Sequence, residues 1–152
     1  VQRVTNCILI DREQDEVLLL QKPRRGWWVA PGGKMESGET IREAVTREFK
    51  EETGITLIDP ALKGVFTILI EENGQHVDEW MMFTFVCDRY EGEVLAHSPE
   101  GQLAWLPRRQ VAGLPKAKGD QIYFEHILEQ EGDELLILKF RYTPDYDLIS
   151  YE

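Results

Sequence analysis

Three acidic residues, Glu48, Glu51 and Glu52, follow one another at helical spacing in the run Arg47-Glu48-Phe49-Lys50-Glu51-Glu52. The segment from Glu39 to Thr53 predicts a helix, with Gly54 in the position of a C-terminal stop. At roughly 100° per residue the three acids fall within about one third of the helix circumference. Ile41, Val45 and Phe49 form an apolar stripe bordering them, so the helix buries one side and gathers carboxylates at the edge of the core. Like charges three and four residues apart repel, and more so when partly buried. A charged helix face is most often only a wetted one. Here, however, the acids do not alternate with lysines, and Pro31-Gly32-Gly33-Lys34 precedes them with glycines that permit close backbone approach. A hard cation such as Mg²⁺ or Mn²⁺, which prefers carboxylate, carbonyl and water oxygens, would relieve the repulsion.

The elements that must position this helix read as follows. Val4–Ile10 and Val17–Gln21 are apolar strands around a polar turn, and Trp27–Ala30 is a short strand ended by Pro31-Gly32-Gly33. Leu62–Glu71 and Glu79–Asp88 are the longest strands, separated at Asn73-Gly74. Leu103–Leu106 is short. Asp120–Gln130 predicts a second helix with Asp120 as N-cap. Leu135–Tyr142 and Leu148–Tyr151 flank a Thr-Pro-Asp turn and predict a terminal hairpin. No repeat or linker interrupts this order. The fold class is α+β: strands in one or two sheets with two helices packed on them, or a three-layer sandwich.

The chain has 152 residues, 42% of them hydrophobic, which suits one domain over 1–152 with a sizeable core. Its formal net charge of -11 disfavours long nucleic acids as partners. Cys7 and Cys87 lie in apolar runs and read as buried reduced thiols. No signal-peptide pattern or membrane-length apolar run is present, so a cytoplasmic protein is expected, as monomer or homodimer.

Gly33, five residues, Glu39, seven residues, then Arg47-Glu48-Phe49-Lys50-Glu51-Glu52-Thr53-Gly54-Ile55 resembles the Nudix box at every fixed position. The resemblance implies a Nudix-type α/β/α sandwich with a mixed sheet, two main helices and the C-terminal hairpin, and hydrolysis of phosphoric anhydride bonds. It implies that Glu48, Glu51 and Glu52 bind Mg²⁺ or Mn²⁺ or its waters, with the Gly32 carbonyl as a further ligand. Glu39 and Arg47 would orient loop and helix, and Lys34 would reach a phosphate. In Glu-Gly-Gln, Glu100 resembles a loop carboxylate of MutT-type members, a ligand or general base. Water then attacks phosphorus in line while a carboxylate takes its proton. His76, His97 and His126 show no motif for nucleophilic catalysis.

From Val17 to Met35 there is no acid, yet Lys22, Arg24, Arg25 and Lys34 are present, either a phosphate entry or a solvated hairpin tip. Trp27 and Trp28 are expected to alternate, one in the core and one against a base, although stacked and merely packed tryptophans look the same in sequence. The segments PRRGWWVAPGGKMESGE, DEWMMFTFV, EGQLAW and LPKAKGD resemble small bacterial Nudix proteins, among them oxidised-dGTP diphosphatases and hydrolases of guanosine tetra- and pentaphosphate alarmones. Lys118 stands where the former carry an asparagine that reads the oxidised base. Lys116 and Lys118, with Arg24 and Arg25, suit a second phosphate group at the 3' end. Asp120 would either cap the helix or accept hydrogen bonds from a guanine edge. The resemblance thus implies a small-molecule guanine nucleotide as substrate: an alarmone cut at its 5' end, or 8-oxo-dGTP. A Nudix-fold module that senses a nucleotide without turnover is the reading of another class, and the intact box acids argue against it.

Overall fold

A computed structural model describes residues 1–129 and 132–152. In chain order the strands are β1 (Gln2–Asp11), β2 (Glu16–Gln21), β3 (Trp28–Val29), β4 (Gly32–Lys34), β5 (Thr56–Leu57), β6 (Ala61–Glu72), β7 (Gln75–Cys87), β8 (Tyr90–Glu91), β9 (Gln102–Pro107), β10 (Leu136–Tyr142) and β11 (Leu148–Tyr151). Helix α1 (Ile41–Thr53) lies between β4 and β5, and α2 (Lys118–Glu129) lies between β9 and β10, preceded by a 3₁₀ turn at Arg108–Gly113. The Gln130 end of the expected second helix lies outside the described residues.

Among the described residues the main sheet runs β11-β10-β6-β7-β1-β2-β3, with β4 also paired to β1 and β9 to β2. β1 is parallel to β7, and β10 is parallel to β6; the β1–β2 and β6–β7 pairs are antiparallel hairpins. The sheet is therefore mixed. Asn73 and Gly74, both at positive φ (53° and 77°), close the long β6–β7 hairpin.

β1 and β2 read as continuous apolar runs because both of their faces are covered. Cys7, Leu9 and Leu18 pack with Val45 and Phe49 of α1 in one core cluster. Ile8, Ile10, Val17 and Leu19 pack with Tyr123, Phe124, Ile127 and Leu128 of α2 in the other. One helix thus lies on each face, an α/β/α sandwich. Truncating fully buried Phe49 to Ala would cost about 3–5 kcal/mol in transfer and cavity terms.

Helix α1 starts at Ile41 rather than Glu39, because Thr40 and Glu43 close a capping box: each side chain takes the other's backbone N–H. It ends at Gly54, as expected, in left-handed conformation (φ 84°). The Pro-Gly-Gly segment is partly a strand, since Gly32 and Gly33 pair with Asn6 and Thr5 of β1. The small β5–β8 pair and the 3₁₀ turn went unforeseen; two-residue strands carry too little periodicity to read. Helix α2 begins two residues before Asp120, which therefore stands in its first turn and is not the N-cap. No helix among the described residues is long and apolar enough to cross a membrane.

Candidate active site

Arg47 organises the box. Its Nε and Nη2 donate to the two oxygens of Glu39 at 2.7 and 2.9 Å, a planar fork on a carboxylate. Nη1 donates to Glu48 at 2.9 Å and to Glu51 at 3.3 Å, and Nη2 also reaches the Lys34 carbonyl at 3.1 Å. Glu39 accepts the Glu36 N–H as well. Chiefly through the Arg47 bond, its carboxyl is lowered to about 2 and the guanidinium is raised. One arginine thus ties loop, strand β4 and helix into a rigid unit.

The glycines let the loop lie against the acids. A Cβ on Gly33 would fall 2.3 Å from Glu48 Oε2, and one on Gly32 would fall 2.0 Å from the Thr5 carbonyl. The Gly32 N–H donates to Glu52 at 3.2 Å. Glu52 is only 7% exposed, and burial raises its carboxyl to about 7. Gly32 and Lys22 oppose that rise, while Glu100 and Glu48 add to it. Glu100, which lies 3.5 Å from Lys22 Nζ, therefore belongs to the same field as the box acids.

Among the described residues, no three His, Cys, Asp or Glu side chains converge as a ready metal cage. The reason is electrostatic: Glu48 and Glu51 turn to Arg47, and Glu100 turns to Lys22. The donor set itself fits a hard divalent cation: Glu52 is buried at a site whose neighbouring acids raise its proton affinity, so a cation there would stabilise its charged form. A cleft of about 310 Å³ beside this cluster is lined by Gln21, Lys22, Pro23, Gly26, Gly101 and Gln102. A hollow of similar size where α2 meets the sheet, lined by Lys63, Val86, His126, Ile127 and Leu136 among others, touches none of the box acids.

A second polar group lies on the α2 face of the sheet. Thr84 Oγ1 donates to Asn6 Oδ1 at 2.6 Å, Asn6 Nδ2 donates to Tyr123 at 3.2 Å, and the Tyr123 hydroxyl bonds to Asp120. Asn6, Thr84 and Tyr123 are buried, while Asp120 is partly open. Desolvation raises Asp120 to about 7, against the Tyr123 bond and the charge of Lys116. Asn6 was the missed residue with a signal, being the polar member of the strand run NCILI.

The predicted cations divide. Arg24, Lys34 and Lys118 are exposed. Lys116 is buried, contrary to expectation: its ammonium donates to the carbonyls of Val111 and Leu114 and lies 5.4 Å from the Phe124 ring centre. It fastens the 3₁₀ turn to α2 and is not turned to a ligand. Arg25 is also engaged, between the rings of Trp27 and Tyr146 at 4.9 and 4.8 Å. Trp28 packs against the α2-side core, and Trp27, just before β3, meets Tyr146, which packs against that same core, so the two tryptophans are not divided between core and open face. The Trp28 N–H donates to Pro115 at 2.9 Å, which joins the basic segment to the loop before α2.

These features have counterparts in known proteins. The NUDIX domain model matches residues 1–128. The chain is 55% identical to the uncharacterized Nudix hydrolase YvcI of Bacillus subtilis (strain 168), over 99% of this chain and 93% of that one. It is 42% identical to the human 8-oxo-dGDP phosphatase NUDT18 over 104 residues, 63% of this chain and 29% of that protein. The crystal structure of the mutator MutT protein from Bacillus halodurans superposes with a TM-score of 0.95 at 56% identity, covering 100% of this chain and 97% of that one. With the box geometry, the α/β/α sandwich and these likenesses in agreement, the chain belongs to the Nudix family and is a Nudix hydrolase.

Proposed function

We propose that this hydrolase is a divalent-metal-dependent nucleotide pyrophosphohydrolase acting on guanosine tetra- and pentaphosphate, cutting at the 5' end and leaving one 5' phosphate and an intact 3' diphosphate. The reading takes residues 1–152 as one working domain. The observation that carries it is the two-sided site: an acid cluster for the anhydride and, on the α2 face, a polar relay ending at Asp120, in the same first helical turn as exposed Lys118.

Glu48, Glu51, Glu52, Glu100 and the Gly32 carbonyl would hold Mg²⁺ or Mn²⁺. When bound, the metal supplies neutralisation of phosphate charge and a lowered pKa for water. Arg47 then holds Glu48 and Glu51 in place through its fork on Glu39. Glu100, loosely tied to Lys22, can accept the proton of the attacking water. Lys34 faces the phosphate tail. Asp120 in ionised form accepts from a guanine N1–H and 2-amino group. Arg24 and Lys118 remain for the 3' diphosphate, since Arg25 and Lys116 are engaged elsewhere.

A second reading, removal of oxidised guanine nucleotides, is favoured by the name of the human relative. The test is one panel of guanosine tetraphosphate, GTP and 8-oxo-dGTP at fixed Mg²⁺ and salt, with products identified. The tetraphosphate should exceed GTP in kcat/KM by at least about tenfold, or about 1.4 kcal/mol of transition-state binding. A tenfold preference for 8-oxo-dGTP would establish the second reading instead, and loss of the 3' diphosphate would reverse the placement of the two ends.

A further inference from the structure

Tyr146, in the turn between β10 and β11, has φ 64°, the left-handed region in which bulky side chains are rare. Backbone strain of this kind persists where the surroundings over-determine it, and it collects at ligand clamps. Here the surroundings do so. The Tyr146 N–H donates to the Thr143 carbonyl at 2.9 Å, and Asp147 N–H donates to Thr143 Oγ1 at 3.1 Å. Arg25 Nη1 donates to the Asp145 carbonyl at 3.2 Å, and its guanidinium lies between the Tyr146 and Trp27 rings.

The ring so held meets three others: Trp27 edge-on at 6.3 Å, Trp80 at 6.3 Å and Tyr142 at 5.9 Å. Tyr142 accepts the N–H of Gly119, the neighbour of Asp120. Met82, two residues from Trp80 on the same strand face, accepts from Asn6. The aromatic group is therefore continuous with the relay that ends at Asp120. Trp80 and Tyr146 pack against the α2-side core, yet these two and Trp27 are each only partly buried, so part of their ring surface stays open to solvent.

We propose that Tyr146 is a specificity-determining residue: it completes an aromatic wall, braced by Arg25, against which the purine base of the substrate packs. The residue lies beyond the span 1–128 matched by the NUDIX domain model, so the wall is a contribution of the C-terminal hairpin. The inference rests on the nucleotide reading above. A planar base on an aromatic face needs no hydrogen bond from that face, which leaves the Watson–Crick edge for Asp120.

The test compares the full chain with its Tyr146→Ala and Tyr146→Phe variants on GTP and UTP, measuring kcat, KM and Tm. Tyr146→Ala should raise KM for GTP by about tenfold with kcat within about twofold, as loss of one base-stacking contact does. The rise for the smaller UTP base should be less, so purine preference falls. Tyr146→Phe should restore the original KM, because the ring and not the hydroxyl forms the wall. Unchanged KM in Tyr146→Ala would overturn the proposal. Equal damage in Tyr146→Phe would overturn it too, as would a parallel loss of kcat, KM and Tm for both bases, the mark of a hairpin that only needs to dock. A wild-type chain that turns over no nucleotide with Mg²⁺ or Mn²⁺ defeats the nucleotide reading itself; an active wild type with an indifferent Tyr146→Ala defeats the wall alone.

Discussion

The acid cluster on the α1 face and the polar and aromatic group on the α2 face, which the proposed function reads as a phosphate side and a base side, are built in opposite ways. On the phosphate side, Arg47 bonds to Glu39 eight residues away, to Lys34 thirteen away and to its helical neighbours Glu48 and Glu51. On the base side, Asn6 bonds to Tyr123 across 117 residues, Thr84 to Asn6 across 78, and Arg25 to Asp145 across 120. Yet both sides hold a carboxyl raised to about 7 by burial, Glu52 and Asp120. What differs is the company. Glu52 has other carboxylates beside it, a setting that would favour a cation, while Asp120 has Tyr123 and Lys116 beside it, a setting that under the proposed function would suit the hydrogen-bond donors of a neutral ring. Under the proposed function, the local, charged unit would supply chemistry indifferent to the base, and the long-range polar and aromatic unit would supply choice.

The largest expected effect breaks the phosphate side alone. Glu52→Gln removes a ligand charge while nearly keeping shape, and should lower kcat about 10³-fold or more for every nucleotide. Because the wild-type carboxyl is buried, the variant should keep or raise Tm. Equal activity in the variant, or full wild-type activity in excess chelator, would remove the acid cluster from the mechanism.

Next in size is Arg47→Lys, which keeps the charge but loses the fork. A single ammonium cannot hold Glu39 at both oxygens while also reaching Glu48 and Glu51. Activity should fall about 10–100-fold, as for loss of groups that orient ligands. The loss should be shared by all nucleotides and partly relieved by higher Mg²⁺. A loss confined to guanine nucleotides would mean that the two sides are not separable as drawn.

The same contrast explains what the sequence discloses. Glu48, Glu51 and Glu52 are legible because they share one face at helical spacing, and Glu39 and Arg47 through the resemblance to the Nudix box; Gly54 marks the helix end, while the Thr40–Glu43 capping box sets the start two residues after the expected Glu39. The sandwich is legible because β1 and β2 are apolar on both faces. Asn6 and Tyr146 are not, since each gains its role from strands and turns that only the completed sheet brings together. Lys116 misleads for a related reason: a lysine on a loop beside a second lysine reads as a cation for a phosphate group, and nothing local reveals the Val111 and Leu114 carbonyls that take its ammonium. Asp120 reads as a cap because Asp commonly is one, whereas helix α2 starts two residues earlier over Gly119, whose N–H is taken by Tyr142.

The smallest effect sharpens the base side, through pH. Asp120 is raised from an ordinary 3.8 to about 7 in the folded chain, faced by Lys116 on the preceding loop, Tyr123 on its own helix and Tyr142 on β10. Between these two values the folded chain holds a proton that the unfolded chain has released. The contribution to stability is therefore full below about pH 4, is lost as pH rises, and is gone above about pH 7. Asp120→Asn should flatten that part of the slope, so the difference in Tm between variant and wild type should grow in the variant's favour from pH 4 to pH 8. Glu52 contributes a slope of the same sign, but it is present in both proteins and cancels in the difference. In activity, the wild type should gain guanine affinity as Asp120 ionises through about pH 7, and the variant should lack this limb. A constant Tm difference across that range would mean that Asp120 is ionised throughout and that its neighbours hold it so. It would then bind guanine equally at pH 5 and pH 8, and any pH dependence of affinity would have to come from the metal side.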